Sequence, residues 1–181
     1  MPTTAARRRL AGLLTAVSLV AAGGLATEAV AAPAAPPSDT SPKVKTRNPS
    51  KIPRVVDARF GKHAQFDRVV FDLTGKASGY NVRYVSTLRQ CGTGNKVTIP
   101  GKKFLSITLE PAQAHDNRGR DVYRGPGQNS TANPKLPTLR SMRMLCDFEG
   151  QVVFGLGLKR KAGFRVGTLS NPTRIYVDVA H

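Results

Sequence analysis

The residues best suited to binding chemistry lie in one long polar segment, 114–137, which reads AHDNRGRDVYRGPGQNSTANPKLP. It has no hydrophobic period, and structureless loops of that length in compact domains are usually functional or disordered. Its first half offers hydrogen-bonding groups, guanidinium groups that hold phosphate or carboxylate, and an aromatic ring for stacking. The candidate ligand-binding residues are His115, Asp116, Arg118, Arg120, Tyr123 and Arg124. The alternative is a flexible basic loop whose Asp residues cap turns.

Patterns for metal binding and catalysis are weak by comparison. The histidines are His63, His115 and His181; no two have helical ligand spacing and no C-x-x-C occurs, so no metal site or other cofactor is expected. Glycoside hydrolysis needs two carboxylates across a cleft. Loop and turn acids that could supply them are Asp116, Asp121, Asp147 and Glu149. Because exposed turn acids are usually solvated, we expect a non-catalytic protein, with a hydrolase that uses these acids as the alternative.

The first 31 residues have the pattern of a secretory signal peptide. Arg7, Arg8 and Arg9 precede an apolar run from Leu10 to about Val20, and residues 29–31 (Ala-Val-Ala) fit a cleavage site. The apolar run is shorter than the roughly 20 residues that a membrane span needs. We therefore predict a secreted or cell-envelope protein, extracytoplasmic and with no transmembrane span after processing.

Composition divides the remaining chain into a tether and a domain. Residues 32–53 contain six of the 13 prolines, with Ala, Ser and Lys between them. Such a segment has too little apolar surface to form a core and predicts a disordered tether. Residues 54–181 are long enough for one domain with a sizeable core.

The charge is strongly positive. The formal net charge of the full chain is +17 at pH 7, and it becomes +15 when three Arg and one Glu leave with the signal peptide. This balance favours a polyanionic partner such as wall teichoic acid, anionic lipid or nucleic acid. The cations are scattered singly, Trp is absent and no nucleic-acid-binding motif is recognisable, so specific nucleic-acid binding is not expected.

Hydrophobic residues in 54–181 follow a period of two. In 67–73, DRVVFDL, the residues Val69, Phe71 and Leu73 share one face. Eight such runs are punctuated by Gly, Pro, Asn and Asp, and none is a long amphipathic helix. The prediction is an all-β fold, a β-sandwich or open barrel of about eight strands.

Two cysteines, Cys91 and Cys146, remain in an exported chain, which favours a disulfide between them. A bridge of that span stabilises by roughly 4 kcal/mol at best. Two buried free thiols and a catalytic cysteine are the alternatives.

One seven-residue pattern occurs twice, as DRVVFDL at 67–73 and TRIYVDV at 173–179. Antiparallel pairing of these strands would place Arg68 opposite Asp178 and Asp72 opposite Arg174. Opposite charges across a strand pair add about 0.2–1 kcal/mol each and help to fix register. The alternative is that a half-exposed strand pattern arose twice.

The last hairpin, FRVGTLSNPTRIYVDV, resembles the C-terminal signature of AMIN domains. The whole of 54–180 is more similar still to the AMIN-like domain of secreted actinobacterial proteins, through FDRVVFDL, GYNVRYV, FLSITLEPAQAHD and LPTLRSMRMLCDFEGQVVFGLGL. AMIN domains are β-sandwiches that accompany cell-wall amidases and secretins and bind peptidoglycan. The resemblance therefore implies a β-sandwich at the cell envelope, and because the sequence stops at His181 soon after the last predicted strand, no catalytic domain is expected to follow it.

Together these observations predict an exported, non-catalytic module of the cell envelope. Its expected partner is peptidoglycan or an anionic cell-wall polymer. The alternatives are an uncharacterised cell-wall hydrolase and a protein-interaction module for another exported protein.

Overall fold

The computed structural model describes residues 35–181, which form eleven strands and no helix. The strands are β1 (Lys43–Lys45), β2 (Val55–Lys62), β3 (Phe66–Leu73), β4 (Gly79–Val85), β5 (Leu88–Arg89), β6 (Lys96–Val97), β7 (Lys103–Glu110), β8 (Leu139–Phe148), β9 (Gln151–Leu158), β10 (Phe164–Leu169) and β11 (Arg174–Ala180). The all-β prediction is confirmed. Three short strands, β1, β5 and β6, add to the eight that were expected.

Two antiparallel sheets form a sandwich. One has the strand order β1-β4-β7-β9-β8, the other has β10-β11-β3-β2, and β5 and β6 pair as a separate short hairpin. The predicted period of two sends alternate residues inward, so Leu105, Ile107 and Leu109 of β7 are fully buried. Phe71 and Phe154 meet between the sheets with ring centroids 4.7 Å apart. No helix in residues 35–181 is long and apolar enough to cross a membrane.

A second, smaller hydrophobic cluster lies outside the main core, where the β5–β6 hairpin packs on β8 and β9. It contains Leu88, Ile99, Leu145 and Val153. Gly155 of β9 admits the hairpin, because a Cβ there would lie 2.6 Å from Leu88 Cδ1. The predicted disulfide Cys91–Cys146 is confirmed and ties this hairpin to β8.

The segment predicted to be a disordered tether, 32–53, is partly built into the sandwich. Within its described part, 35–53, β1 pairs with β4, and Asp39 O accepts a hydrogen bond from Phe164 N (2.8 Å). The expectation failed because pairing at a sheet edge uses backbone groups, which composition does not report. The predicted signal peptide, residues 1–31, lies outside the described residues.

β3 and β11 pair in the register that the repeated pattern predicted, with 68 opposite 178 and 72 opposite 174. Arg68 donates two hydrogen bonds to Asp178, of 2.6 and 2.9 Å. The second predicted pair is not formed: Asp72 pairs with Arg59, and Arg174 Nε donates to Pro172 O (3.3 Å). Asp72 has cations on both neighbouring strands, and the one on β2 holds it.

Candidate binding site

A cleft with a volume of about 590 Å³ lies where three chain segments meet. Residues 49–52 form one wall, residues 74–76 of the β3–β4 turn form the second, and Gln113 with Asn117 forms the third. Arg54 lies between them. We call this the basic cleft, because three cations and no carboxylate are found among the described residues that line it.

Hydrogen bonds around Arg54 hold the three walls together. Arg54 N donates to Thr74 Oγ1 (3.1 Å), and Thr74 N donates to Arg54 O (2.9 Å). The Arg54 guanidinium donates to Asn117 Oδ1 (2.9 Å). Gln113 N donates to Pro53 O (3.1 Å), and Val55 N donates to Gln113 O (2.9 Å). The cleft is therefore fixed by backbone and side-chain bonds at its base, with its rim open to solvent.

The lining suits an anionic ligand with some apolar surface. Lys51 and Lys76 are exposed, while Arg54 is half-buried and oriented by Asn117. An oriented guanidinium loses less freedom on binding an oxyanion than a free lysine does. Ile52, 51% exposed, adds an apolar contact beside the cations. The arrangement can hold a phosphate or carboxylate, and its lining contains no carboxylate to act as a general acid or base.

His115, the first of the predicted ligand-binding residues, is paired with a carboxylate of β8. His115 Nδ1 lies 2.7 Å from Asp147 Oδ2, and Asp147 Oδ1 accepts a hydrogen bond from Ala114 N (3.0 Å). The pair fastens the start of the long loop to the sandwich.

Asp116 shapes a tight turn over residues 116–120. Asp116 Oδ1 accepts hydrogen bonds from the backbone N of Arg118 (2.8 Å) and of Arg120 (3.0 Å), and Oδ2 accepts one from Arg120 Nε (2.8 Å). The Arg120 side chain, followed by these backbone bonds, lowers the pKa of Asp116 from 3.8 to about 2. This turn holds Asn117 at the basic cleft, while Arg118 and Arg120 are exposed beside it.

Tyr123 requires a correction, because its ring is fully buried and cannot stack on a ligand. It packs against Phe154 with centroids 5.5 Å apart, and its hydroxyl donates to Pro126 O (2.7 Å). Burial raises its pKa, as does the nearby charge of Asp57. A tyrosine in a polar loop can enter the core when its hydroxyl finds a partner. The next predicted residue, Arg124, is exposed and donates to Tyr123 O (3.0 Å).

None of the six predicted ligand-binding residues lines the basic cleft, although Asn117 of the same loop does. Residues 49–52 were assigned to the tether, and no function was predicted for residues 74–76. The signal that was available is a set of cations with no acid beside them in sequence, namely Lys51, Arg54 and Lys76. Their convergence depends on how the N-terminal segment runs along the sheet, which local patterns do not contain.

The fold and cleft define a β-sandwich module with a basic binding surface. The sequence model of the AMIN-like domain family matches residues 53–181, and the chain belongs to this family. Domains of the family occur in extracytoplasmic proteins and are generally non-catalytic binding modules related to the cell wall. Neither the curated proteins nor the solved structures that were compared gave a significant match.

Proposed function

We propose that this protein is an exported, non-catalytic module that binds peptidoglycan or an anionic cell-wall polymer through the basic cleft. The observation that carries the proposal is the convergence of Lys51, Arg54 and Lys76 on a cleft with no lining carboxylate. Membership of the AMIN-like family supports a cell-wall ligand.

Charge acts at two distances in this proposal. The net charge, which is +15 once three Arg and one Glu leave with the signal peptide, attracts a polyanion before contact. Free Lys contacts with oxyanions are worth at most about 1 kcal/mol each and weaken with salt. The half-buried Arg54 is screened by salt less than the exposed lysines are, and Ile52 adds an apolar contact that salt does not weaken.

The test is co-sedimentation of residues 32–181 with purified insoluble peptidoglycan, with and without its teichoic acid. We expect binding at low salt, and Lys51→Gln with Lys76→Gln should weaken it by at least about threefold. The charge-matched control is Lys62→Gln with Lys96→Gln, two exposed lysines remote from the cleft lining. Equal weakening by both pairs of substitutions would show that binding depends only on net charge. If the protein bound neither wall preparation, the proposal would be refuted.

Export through a signal peptide that is cleaved after Ala31 is part of the same proposal. The intact mass of the protein recovered from the culture medium or the envelope tests it directly. A chain that begins at Ala32 is expected, and a full-length chain retained in the cytoplasm would contradict it.

A further inference from the structure

We infer that the basic cleft is one end of a longer groove and that the ligand is a linear phosphodiester-linked polyol chain lying along it. This inference rests on the proposed function and names the ligand class. Two further clefts continue from the basic cleft: a middle cleft of about 460 Å³ and a far cleft of about 430 Å³. We call the three together the long groove.

The three clefts are contiguous because they share lining residues. The basic and middle clefts share Pro49, Ser50 and Lys76. The middle and far clefts share Arg47 and Asn48. A linear ligand that lies along residues 47–50 would therefore contact residues of all three clefts.

The groove follows the seam between residues 44–54 and residues 74–82, which run in opposite directions. At one end Arg54 and Thr74 exchange hydrogen bonds, and at the other β1 pairs with β4. Between these ends the Arg47 guanidinium donates to Ser78 O (2.7 Å). Residues 46–54 lie outside the paired strands apart from a single bridge at Arg54, which leaves room for the clefts.

Gly79 lies where the N-terminal segment passes close to the backbone of β4. A Cβ at Gly79 would lie 2.6 Å from Lys45 O and 2.6 Å from Glu110 O. Only glycine lets residues 45–47 approach β4 so closely. The N-terminal segment thus belongs to the groove wall, although the family match begins only at residue 53.

Length and charge together favour a linear polyanion. Residues 44–54 would span up to about 35 Å if fully extended, far more than one sugar or one amino acid. The cations along the groove are Lys45, Arg47, Lys51, Arg54 and Lys76. Among the described lining residues only Glu110 carries a negative charge. A compact anion reaches one cleft, whereas a chain with repeated phosphates reaches all three.

The lining of the far cleft includes Asn81, whose side-chain amide could pair with a ligand hydroxyl after rotating toward the groove. Asn81 Oδ1 is buried and has no hydrogen-bond partner in the structure, and Thr108 lies opposite it on β7. Buried polar atoms are nearly always paired in native proteins. A polyol phosphate supplies hydroxyl donors between its anionic groups, and this is why we favour it over an anion without hydroxyls.

The experiment is calorimetric titration of residues 32–181 with glycerol phosphate and with polyglycerol phosphate chains of increasing length. Affinity should rise by about tenfold or more until the chain spans the groove. Lys45→Gln with Asn81→Ala should weaken long-chain binding by about tenfold, since it removes one ionic contact and one hydrogen bond, and should leave glycerol phosphate binding unchanged. Lys51→Gln with Lys76→Gln should weaken binding of both ligands, and the control pair Lys62→Gln with Lys96→Gln should weaken neither.

Three results would overturn the inference. One is equal affinity for glycerol phosphate and for long polyglycerol phosphate chains. Another is that Lys45→Gln with Asn81→Ala weakens the binding of both ligands equally. The third is binding to teichoic-acid-free peptidoglycan through Lys51 and Lys76 without binding to phosphate chains, which would leave the proposed function standing. Failure of the protein to bind any wall fraction would remove the proposed function as well.

Discussion

Asp178 is a fully buried carboxylate held by two arginines from the strands on either side. Arg68 donates to it from β3, and Arg165 Nε donates from β10 at 2.7 Å. The hydrogen bond to Asp178 raises the pKa of Arg68. The Arg68 guanidinium also lies 4.2 Å from the centroid of Tyr176. The first predicted charge pair is therefore part of a network across three strands.

The two halves of the repeated pattern should differ in their contribution to stability. We expect Asp178→Ala to lower the free energy of unfolding by about 2–3 kcal/mol, because hydrogen bonds to two guanidinium groups are lost. Arg174→Ala removes only a weak contact with Pro172 and should change it by less than about 0.5 kcal/mol. Urea unfolding measures both. Equal losses would show that residues 174 and 72 interact after all.

The turn held by Asp116 should depend on acid pH. Its carboxylate is the form that Arg120 holds, so the turn is fully stabilised above the ordinary pKa of 3.8 and loses that stabilisation as the pH falls toward about 2. Amide shifts of Arg118 and Arg120 in NMR spectra should follow a midpoint near 2. Asp116→Asn should loosen the turn already at neutral pH. A midpoint at or above 3.8 would contradict this account.

Among single residues, the register of β3 and β11 could be predicted from the period of two, but the partner of Asp72 and the burial of Tyr123, which depend on tertiary packing, could not. Arg68 and Asp178 could be matched because a ladder of period two fixes partners once two strands pair. Tyr123 could not be placed, because its burial depends on the space beside Phe154 that both sheets create.

The β5–β6 hairpin is attached to the sandwich by its own small hydrophobic cluster and by the Cys91–Cys146 disulfide. Its packing partners, Leu145 and Val153, are on the face of the sheet opposite the main core. Cys91→Ser with Cys146→Ser should lower the free energy of unfolding by about 2–4 kcal/mol. Hydrogen exchange should rise first in residues 88–97, while β7 and β9 stay protected. Uniform loss of protection would mean that the hairpin and the main core unfold together.

The contact between the N-terminal segment 35–48 and the sandwich can be tested by a single substitution. A Cβ at Gly163 would collide with the backbone of Pro37 and lie 2.6 Å from Ser38 Cα. Gly163→Ala should displace residues 35–39 and expose Phe164 N, which donates to Asp39 O (2.8 Å). Faster hydrogen exchange at Phe164 is the expected result. Gly61→Ala is the control, since its Cβ would approach nothing closer than 3.7 Å. Unchanged hydrogen exchange at Phe164 in Gly163→Ala would show that residues 35–39 do not pack against Gly163.

At the scale of elements, the eight main strands could be predicted because each buries one face and so alternates in sequence. β1 has little to bury: Val44 is 64% exposed, and the strand is held by its backbone pairing with β4. Such a strand leaves no hydrophobic pattern, and its absence from the prediction hid the wall of the basic cleft that residues 49–52 form after it in the chain.

For the whole molecule, the hydrophobic core and the proposed binding groove are separate. The core between the sheets contains Phe71, Phe154 and the apolar residues of β7, whereas the long groove lies along the N-terminal segment and loops at the edge of the sandwich. Substitutions of exposed groove lysines should therefore alter binding with little effect on stability.

The measurement that tests the central claim most directly is amide NMR mapping of residues 32–181 with solubilised wall fragments. We predict shifts concentrated in 44–54, 74–82 and 113–117, which are the segments that line the long groove. The outer face of β10 and β11 around Tyr176 should stay unperturbed. Shifts centred on that face, with the groove unchanged, would contradict the account.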